Sequence, residues 1–170
     1  SRQIDPADAA VVSVTQIHGG NTWNALPDCA VVRGTFRSFK DSVREQLEHA
    51  IRHVAESIAQ GFKLRVDTRF NPENPGYPVT INSAAETTSA IRAAIAVAGE
   101  QCVDTAPTPS MGAEDFAFML QQKPGCYIWI GNGKAYGNCL LHNPHYDFND
   151  EILPLGAAFW VKLVENELAG

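Results

Sequence analysis

Residues 141–150 read Leu-His-Asn-Pro-His-Tyr-Asp-Phe-Asn-Asp, the densest run of polar and titratable groups in the chain. Neutral imidazoles and carboxylates are the donors that suit a borderline divalent ion. The run follows the apolar stretch Cys126-Tyr127-Ile128-Trp129-Ile130, and loops after buried strands are where α/β sheets carry their functional groups. One such loop cannot complete a coordination shell, so further ligands are expected from elsewhere. Because loops are polar for turn chemistry alone, the pattern by itself weighs about as much toward a plain surface loop.

A second candidate is Pro109-Ser110-Met111-Gly112-Ala113-Glu114-Asp115-Phe116, where a glycine turn feeds an acidic first helical turn that can present a carboxylate to a cleft. The simpler reading makes these acids partners of the helix dipole. His18-Gly19-Gly20-Asn21-Thr22-Trp23-Asn24 joins two expected strands and offers amides and an imidazole for a ligand carboxylate, although turn chemistry explains it nearly as well. Arg37, at the end of the second strand, could bind a carboxylate with both guanidinium nitrogens, or be an exposed strand-end arginine. His49 and His53 stand four apart, but they share a face with Glu45, Arg52 and Glu56 opposite an apolar stripe, which reads as a solvated helix face. The chain has no H-E-x-x-H, phosphate loop, nucleotide fingerprint or Ser/His/Asp order.

The elements that would position these residues follow from periodicity. Residues 11–17, rich in β-branched side chains, and 29–37, entered through Leu26-Pro27-Asp28, read as an antiparallel strand pair. Val43, Leu47, Ala50, Ile51, Val54 and Ile58 give helical spacing over 41–60, with Gly61 placed to end the helix. Residues 64–70 alternate as a half-buried strand, completing a ββαβ order. Pro72, Pro75 and Pro78 forbid regular structure and mark a boundary, giving domains over 1–71 and 79–170. Beyond it, Ser83 and Glu86 suggest a capping box for an alanine-rich helix to Ala98. A short helix is expected over 114–122, a strand covered on both sides over 126–130, a loop over 131–138, and a last helix from near Pro154. The fold class is α/β, with an α+β first part.

Composition narrows the function. A formal charge of -6 without a Lys/Arg cluster leaves no electrostatic footprint for nucleic acid or an anionic membrane. The longest apolar runs are too short to span a bilayer. Cys29, Cys102, Cys126 and Cys139 include no C-x-x-C pair, so a reducing cytoplasm is the default location. Ser1-Arg2-Gln3-Ile4 has no initiator methionine and runs into Asp5-Pro6 like mid-protein sequence, so a fragment is expected.

Taken in order, Ser1-Arg2 with Asp5-Pro6, Gly19-Gly20, Asn24-Ala25-Leu26-Pro27-Asp28 and Gly34-Thr35-Phe36-Arg37 resemble the lid domain of the M20 peptidase and aminoacylase family, in its hippurate hydrolase and auxin-conjugate hydrolase branch. Met111-Gly112-Ala113-Glu114-Asp115-Phe116, then Leu141-His142-Asn143-Pro144 with Phe148, Asp150, Leu153-Pro154 and Gly156, extend the resemblance across essentially the whole chain.

The resemblance implies a ferredoxin-like βαββαβ lid, here with its first strand and helix missing, followed by the C-terminal part of a zinc-peptidase-like α/β catalytic domain. It implies a metal-dependent amidohydrolase that cleaves N-acyl amino acids or small peptides with a pair of divalent metals, Zn²⁺, Mn²⁺ or Co²⁺, and a water activated by a glutamate. Position by position, His142 resembles the family's C-terminal metal ligand and Asn24 the lid amide that meets the substrate carboxylate. Arg37 and Glu114 are further substrate-binding candidates. His145 does not fall on the ligand position, nor His18 on that of the lid's catalytic histidine. The family's Cys-Gly-His-Asp motif, paired glutamates and lid histidine precede the point where this chain begins, so the chain alone is expected to be inactive and to bind metal weakly. A homodimer or tetramer through the lid is implied; the competing reading is a non-catalytic dimerisation or binding module.

Overall fold

The structure, a computed structural model, describes residues 3–70, 76–133, 139 and 141–169. Ser1 and Arg2, which contribute to the resemblance, lie outside the described residues, as do 71–75 of the expected boundary and most of the expected 131–138 loop. The chain divides into two compact units: Ser1–Val79 with Ser110–Glu114, and Thr80–Pro109 with Asp115–Gly170.

In the first unit, β1 (Ala10–Gly19) and β2 (Ala30–Ser38) pair antiparallel, from Ala10 opposite Ser38 to Gly19 opposite Ala30. Their β-branched content suits the pleated surface, and a bulge between Val14 and Gln16 shifts the register. Gly34 faces that irregularity: a Cβ there would stand 2.3 Å from the Ser13 carbonyl oxygen, so only glycine permits this approach.

Helix α1 (Asp41–Gly61) buries Val43, Leu47 and Ala59, while Val54 and Ile58 on the same apolar set stay exposed. It ends differently from the sequence expectation. Gly61 is its last helical residue, and the left-handed position falls two residues later, on Lys63 at φ 57°. Lys63 N–H donates to Gln60 O at 3.0 Å and Leu64 N–H to Ala59 O at 2.8 Å, the paired bonds of a Schellman motif with lysine where glycine is usual.

The expected strand at 64–70 carries no regular structure and joins no ladder; among the described residues the sheet has two strands. Alternation predicts which side chains face inward, whereas a strand also needs a neighbour within hydrogen-bonding distance of its backbone. Side chains anchor it instead. Phe70 packs edge-on against Phe36 with centroids 5.8 Å apart, and Arg52 lies 5.3 Å over the Phe70 ring while donating to Thr68 O at 3.1 Å.

The second unit packs α2 (Ala84–Ala98) against α4 (Leu153–Leu168). Alanines at 90 and 93 make room for Phe159, and Ala94, Cys126, Ile128 and Leu163 close around them. Ser89 Oγ–H donates to Glu167 between the two helices. Between them lie α3 (Phe116–Gln122) and short 3₁₀ turns at Glu100–Cys102 and Asp150–Ile152. Pro154 sits in the first turn of α4, where its missing N–H costs nothing.

Two expectations fail locally here. Ser83 stands at the N-cap of α2 without capping it, because its Oγ accepts from Gly125 N–H at 3.1 Å. The 126–130 run carries no regular structure, joins no ladder among the described residues and is only partly covered, with Trp129 68% exposed. Its apolar composition had implied cover on both faces, but among the described residues α2 and α4 supply cover to Cys126 and Ile128.

Replacing Lys63 by Gly is expected to raise the free energy of unfolding by about 1 kcal/mol, since it removes the left-handed penalty without touching a contact. Gly34→Ala is expected to cost more than about 2 kcal/mol by forcing the β1–β2 ladder apart. Urea unfolding midpoints at unchanged m-value check both.

Candidate functional site

The polar loop is held by its asparagines. After the apolar run, Asn132 Oδ1 accepts from the Asn149 main-chain N–H at 2.7 Å, and Asn132 Nδ2 donates to Asp147 O at 2.8 Å. In return Asn149 Nδ2 donates to the Asn132 main-chain O at 3.2 Å, and Asn149 Oδ1 accepts from Glu151 N–H at 3.0 Å, which caps the 3₁₀ turn leading into α4. Asn149 is the buried polar residue among those described, and no buried side-chain nitrogen or oxygen there lacks a partner.

Between these anchors, Asn143 builds a tight turn. Its main-chain O accepts from Tyr146 N–H at 2.9 Å and its Oδ1 from His145 N–H at 2.9 Å, with Pro144 at the second turn position, where its fixed φ fits. His142, just before this turn, has φ 72°, a left-handed backbone that a residue with a Cβ adopts only under constraint. Its side chain is exposed and has no hydrogen bond or ion pair among the described residues. The ligand candidate of the sequence is therefore exposed, left-handed and without a partner among the described residues. His145 shares the loop, and its main chain is used in the turn.

The other three candidates lie in the first unit. Asn24 sits exposed in the turn between β1 and β2, flanked by Trp23 and Leu26 at 98% and 97% exposure. Arg37 donates from Nη1 to Met111 O at 2.5 Å, so its guanidinium is engaged with a main-chain carbonyl of the Ser110–Glu114 segment. Glu114, on that segment, is half-buried. It precedes α3, which begins at Phe116, so it does not occupy a first helical turn, and the dipole explanation for its acidity falls away. Arg37 and the segment that carries Glu114 are thus brought together, through the backbone.

His49 and His53 lie exposed on α1 as expected. Among the described residues no three His, Cys, Asp or Glu side chains are grouped to hold a metal ion. His142 fits a metal as one imidazole donor, and these residues do not form a complete site around it.

Sequence reasoning missed three things: the interlocked Asn132 and Asn149, the left-handed His142, and Asn82. Asn82 grips the apolar run with both ends of its amide, accepting from Tyr127 N–H at 2.9 Å and donating to Tyr127 O at 2.9 Å. The Gly131-Asn132-Gly133 punctuation was the available signal for the first. His142→Gly is expected to exceed His142→Ala in stability by about 1 kcal/mol, since alanine keeps the left-handed strain and glycine relieves it. Equal unfolding midpoints for the two variants would mean the backbone there is unstrained.

The match to known proteins runs along nearly the whole chain. Residues 5–166 match the model of Peptidase family M20/M25/M40. The chain is similar to N-acetyl-L-cysteine deacetylase of Bacillus subtilis, 33% identical over 95% of this chain and 36% of the relative. It is likewise similar to thermostable carboxypeptidase 2 of Saccharolobus solfataricus, 31% identical over 92% and 39%, and to hippurate hydrolase of Campylobacter jejuni, 30% identical over 96% and 41%. A crystal structure of the Bacillus subtilis YXEP protein, described as a dinuclear metal binding peptidase from the M20 family, superposes with a TM-score of 0.73 at 31% identity, over 94% of this chain and 42% of that one. The chain spans about two-fifths of the length of the relatives it matches.

Proposed function

The chain belongs to peptidase family M20/M25/M40, and from that membership we propose that it forms part of a metal-dependent amidohydrolase acting on N-acyl amino acids or small peptides. The observation that carries the proposal is His142: an exposed imidazole without a partner among the described residues, on a left-handed backbone just before the Asn143-Pro144 turn. A residue kept in such a conformation is paid for by its surroundings, and such strain gathers at ligand-binding positions. The names of the relatives, a deacetylase, a carboxypeptidase and a hippurate hydrolase, support a reaction that breaks an amide bond.

In this reading His142 supplies one ligand to a pair of divalent ions, Zn²⁺, Mn²⁺ or Co²⁺, whose other ligands come from outside these residues. When bound, such a pair polarises the scissile carbonyl and lowers the pKa of a bound water. The remaining roles fall to this chain's own groups. The Asn24 carboxamide donates to the substrate carboxylate. Arg37 holds the Met111 carbonyl and so orients the segment bearing Glu114, which with Arg37 completes the substrate-binding set. The first unit would be the lid and the second the C-terminal part of the catalytic domain, with subunits pairing through the lid in the cytoplasm.

A second reading, a non-catalytic dimerisation module, is favoured by the apolar side chains exposed on the β1–β2 pair, among them Val14, Ile17 and Val32. Hydrolysis of an N-acyl amino acid panel with added Mn²⁺, Zn²⁺ or Co²⁺ separates the two. The full-length protein is expected to hydrolyse at least one substrate, and His142→Ala to reduce kcat/KM more than about 100-fold. These residues alone are expected to hydrolyse none. Self-association with no hydrolysis by the full-length protein under any metal would leave the module reading standing.

A further inference from the structure

We propose that Asn132 and Asn149 are positioning residues for His142, their interlocked carboxamides forming a clamp that sets the backbone of the ligand loop before any metal arrives. The proposal rests on the reading of His142 as a ligand. It extends that reading to residues that never touch the metal.

The geometry separates this from a simple cap. A capping asparagine at the start of the 150–152 turn needs one bond, from Glu151 N–H to Asn149 Oδ1. Here three more bonds join Asn149 and its neighbour Asp147 to Asn132, none of which serves the 3₁₀ turn. The two side chains use both their oxygens and both their nitrogens. Asn149 does so at 8% exposure, where an unpaired amide would carry its full desolvation penalty. Gly133, beside the clamp, turns left-handed at φ 78°, the backbone region that glycine enters without strain.

The strain at His142 says why the clamp is needed. A left-handed non-glycine residue costs about 1–2 kcal/mol and persists where the surrounding structure holds it. On its C-terminal side the Asn143-Pro144 turn fixes His145 and Tyr146. Farther along, the clamp pins Asp147 and Asn149 to Asn132. With the clamp released, the turn could drift as a body and His142 could relax to a right-handed or extended backbone, which would re-aim the imidazole.

Two variants separate positioning from folding. Asn149→Asp keeps the acceptor for Glu151 N–H and so the cap, but it sets a buried carboxylate oxygen against the Asn132 carbonyl in place of a donor, so its unfolding midpoint is expected to fall. Asn132→Ala removes the clamp from the other side. In these residues alone, both are expected to speed amide exchange at Asn149 and Tyr146 at least about tenfold. In the full-length protein, Mn²⁺ titration at a temperature where every variant is fully folded is expected to show about tenfold weaker binding for both clamp variants, and greater loss for His142→Ala. Wild-type Mn²⁺ affinity in Asn149→Asp and Asn132→Ala, alongside a loss in His142→Ala, would overturn the positioning role. Unchanged exchange in both clamp variants would overturn the clamp itself. Should His142→Ala bind Mn²⁺ as wild type does, the ligand reading fails and takes the positioning role with it.

Discussion

An extended backbone outside a ladder must still find partners for its peptide groups, and in the second unit side-chain amides provide them. Asn82 meets Tyr127 as a neighbouring strand would, matching an N–H and a carbonyl with one carboxamide. Ser83 adds a main-chain donor and a hydroxyl acceptor at Gly125. These bonds hold the 126–130 run in place, and from there Cys126 and Ile128 close the alanine and phenylalanine core of α2 and α4. The next residues beyond that run, Asn132 and Gly133, start the clamp. If Asn82 let go, the core would lose a wall and the polar loop its footing.

The first unit meets the same constraint with less success. β1 and β2 satisfy each other across a regular register, broken once at the bulge. The 64–70 segment has Arg52, Phe36 and Phe70 as anchors but no strand beside it among the described residues. Leu64 and Val66 accordingly remain exposed at 66% and 44%, along with Val54 and Ile58 of α1. A half-buried pattern in the sequence without its burial in the structure is a demand for cover.

Helices were legible because their signal is internal. The spacing of Val43, Leu47 and Ile58, and the alanines before Gly99, set α1 and α2 to within a residue or two. Strands were legible where both partners are paired among the described residues, as for β1 and β2, since alternation names a face and not a neighbour. Termini were the least legible. Ser83 had a competing acceptor role that no local rule predicts, and the left-handed helix end fell on Lys63 because the Schellman bonds close there, not at the glycine. At the candidate site the His142 loop stood out by composition and by resemblance to the M20 pattern. Its left-handed backbone and the distant amide pairing were invisible, because the first follows no composition rule and the second depends on which residues 132 and 149 meet in space.

A ligand loop faces a specific thermodynamic problem when the other donors of its centre come from distant parts of a polypeptide. Any freedom the loop retains before the metal binds is lost on binding and subtracts from affinity, at about 1–2 kcal/mol for each backbone residue ordered. A flexible loop could deliver the same imidazole, but it would spend several residues' worth of that entropy to do so. Fixing the loop at folding instead moves the cost to a moment when the burial of Phe159 and its neighbours can offset it. With His142 as the proposed ligand, the strain stored there would be the residual of a trade in which a small, permanent penalty replaces a larger one at each binding event, and the proposed amide clamp would make that penalty permanent.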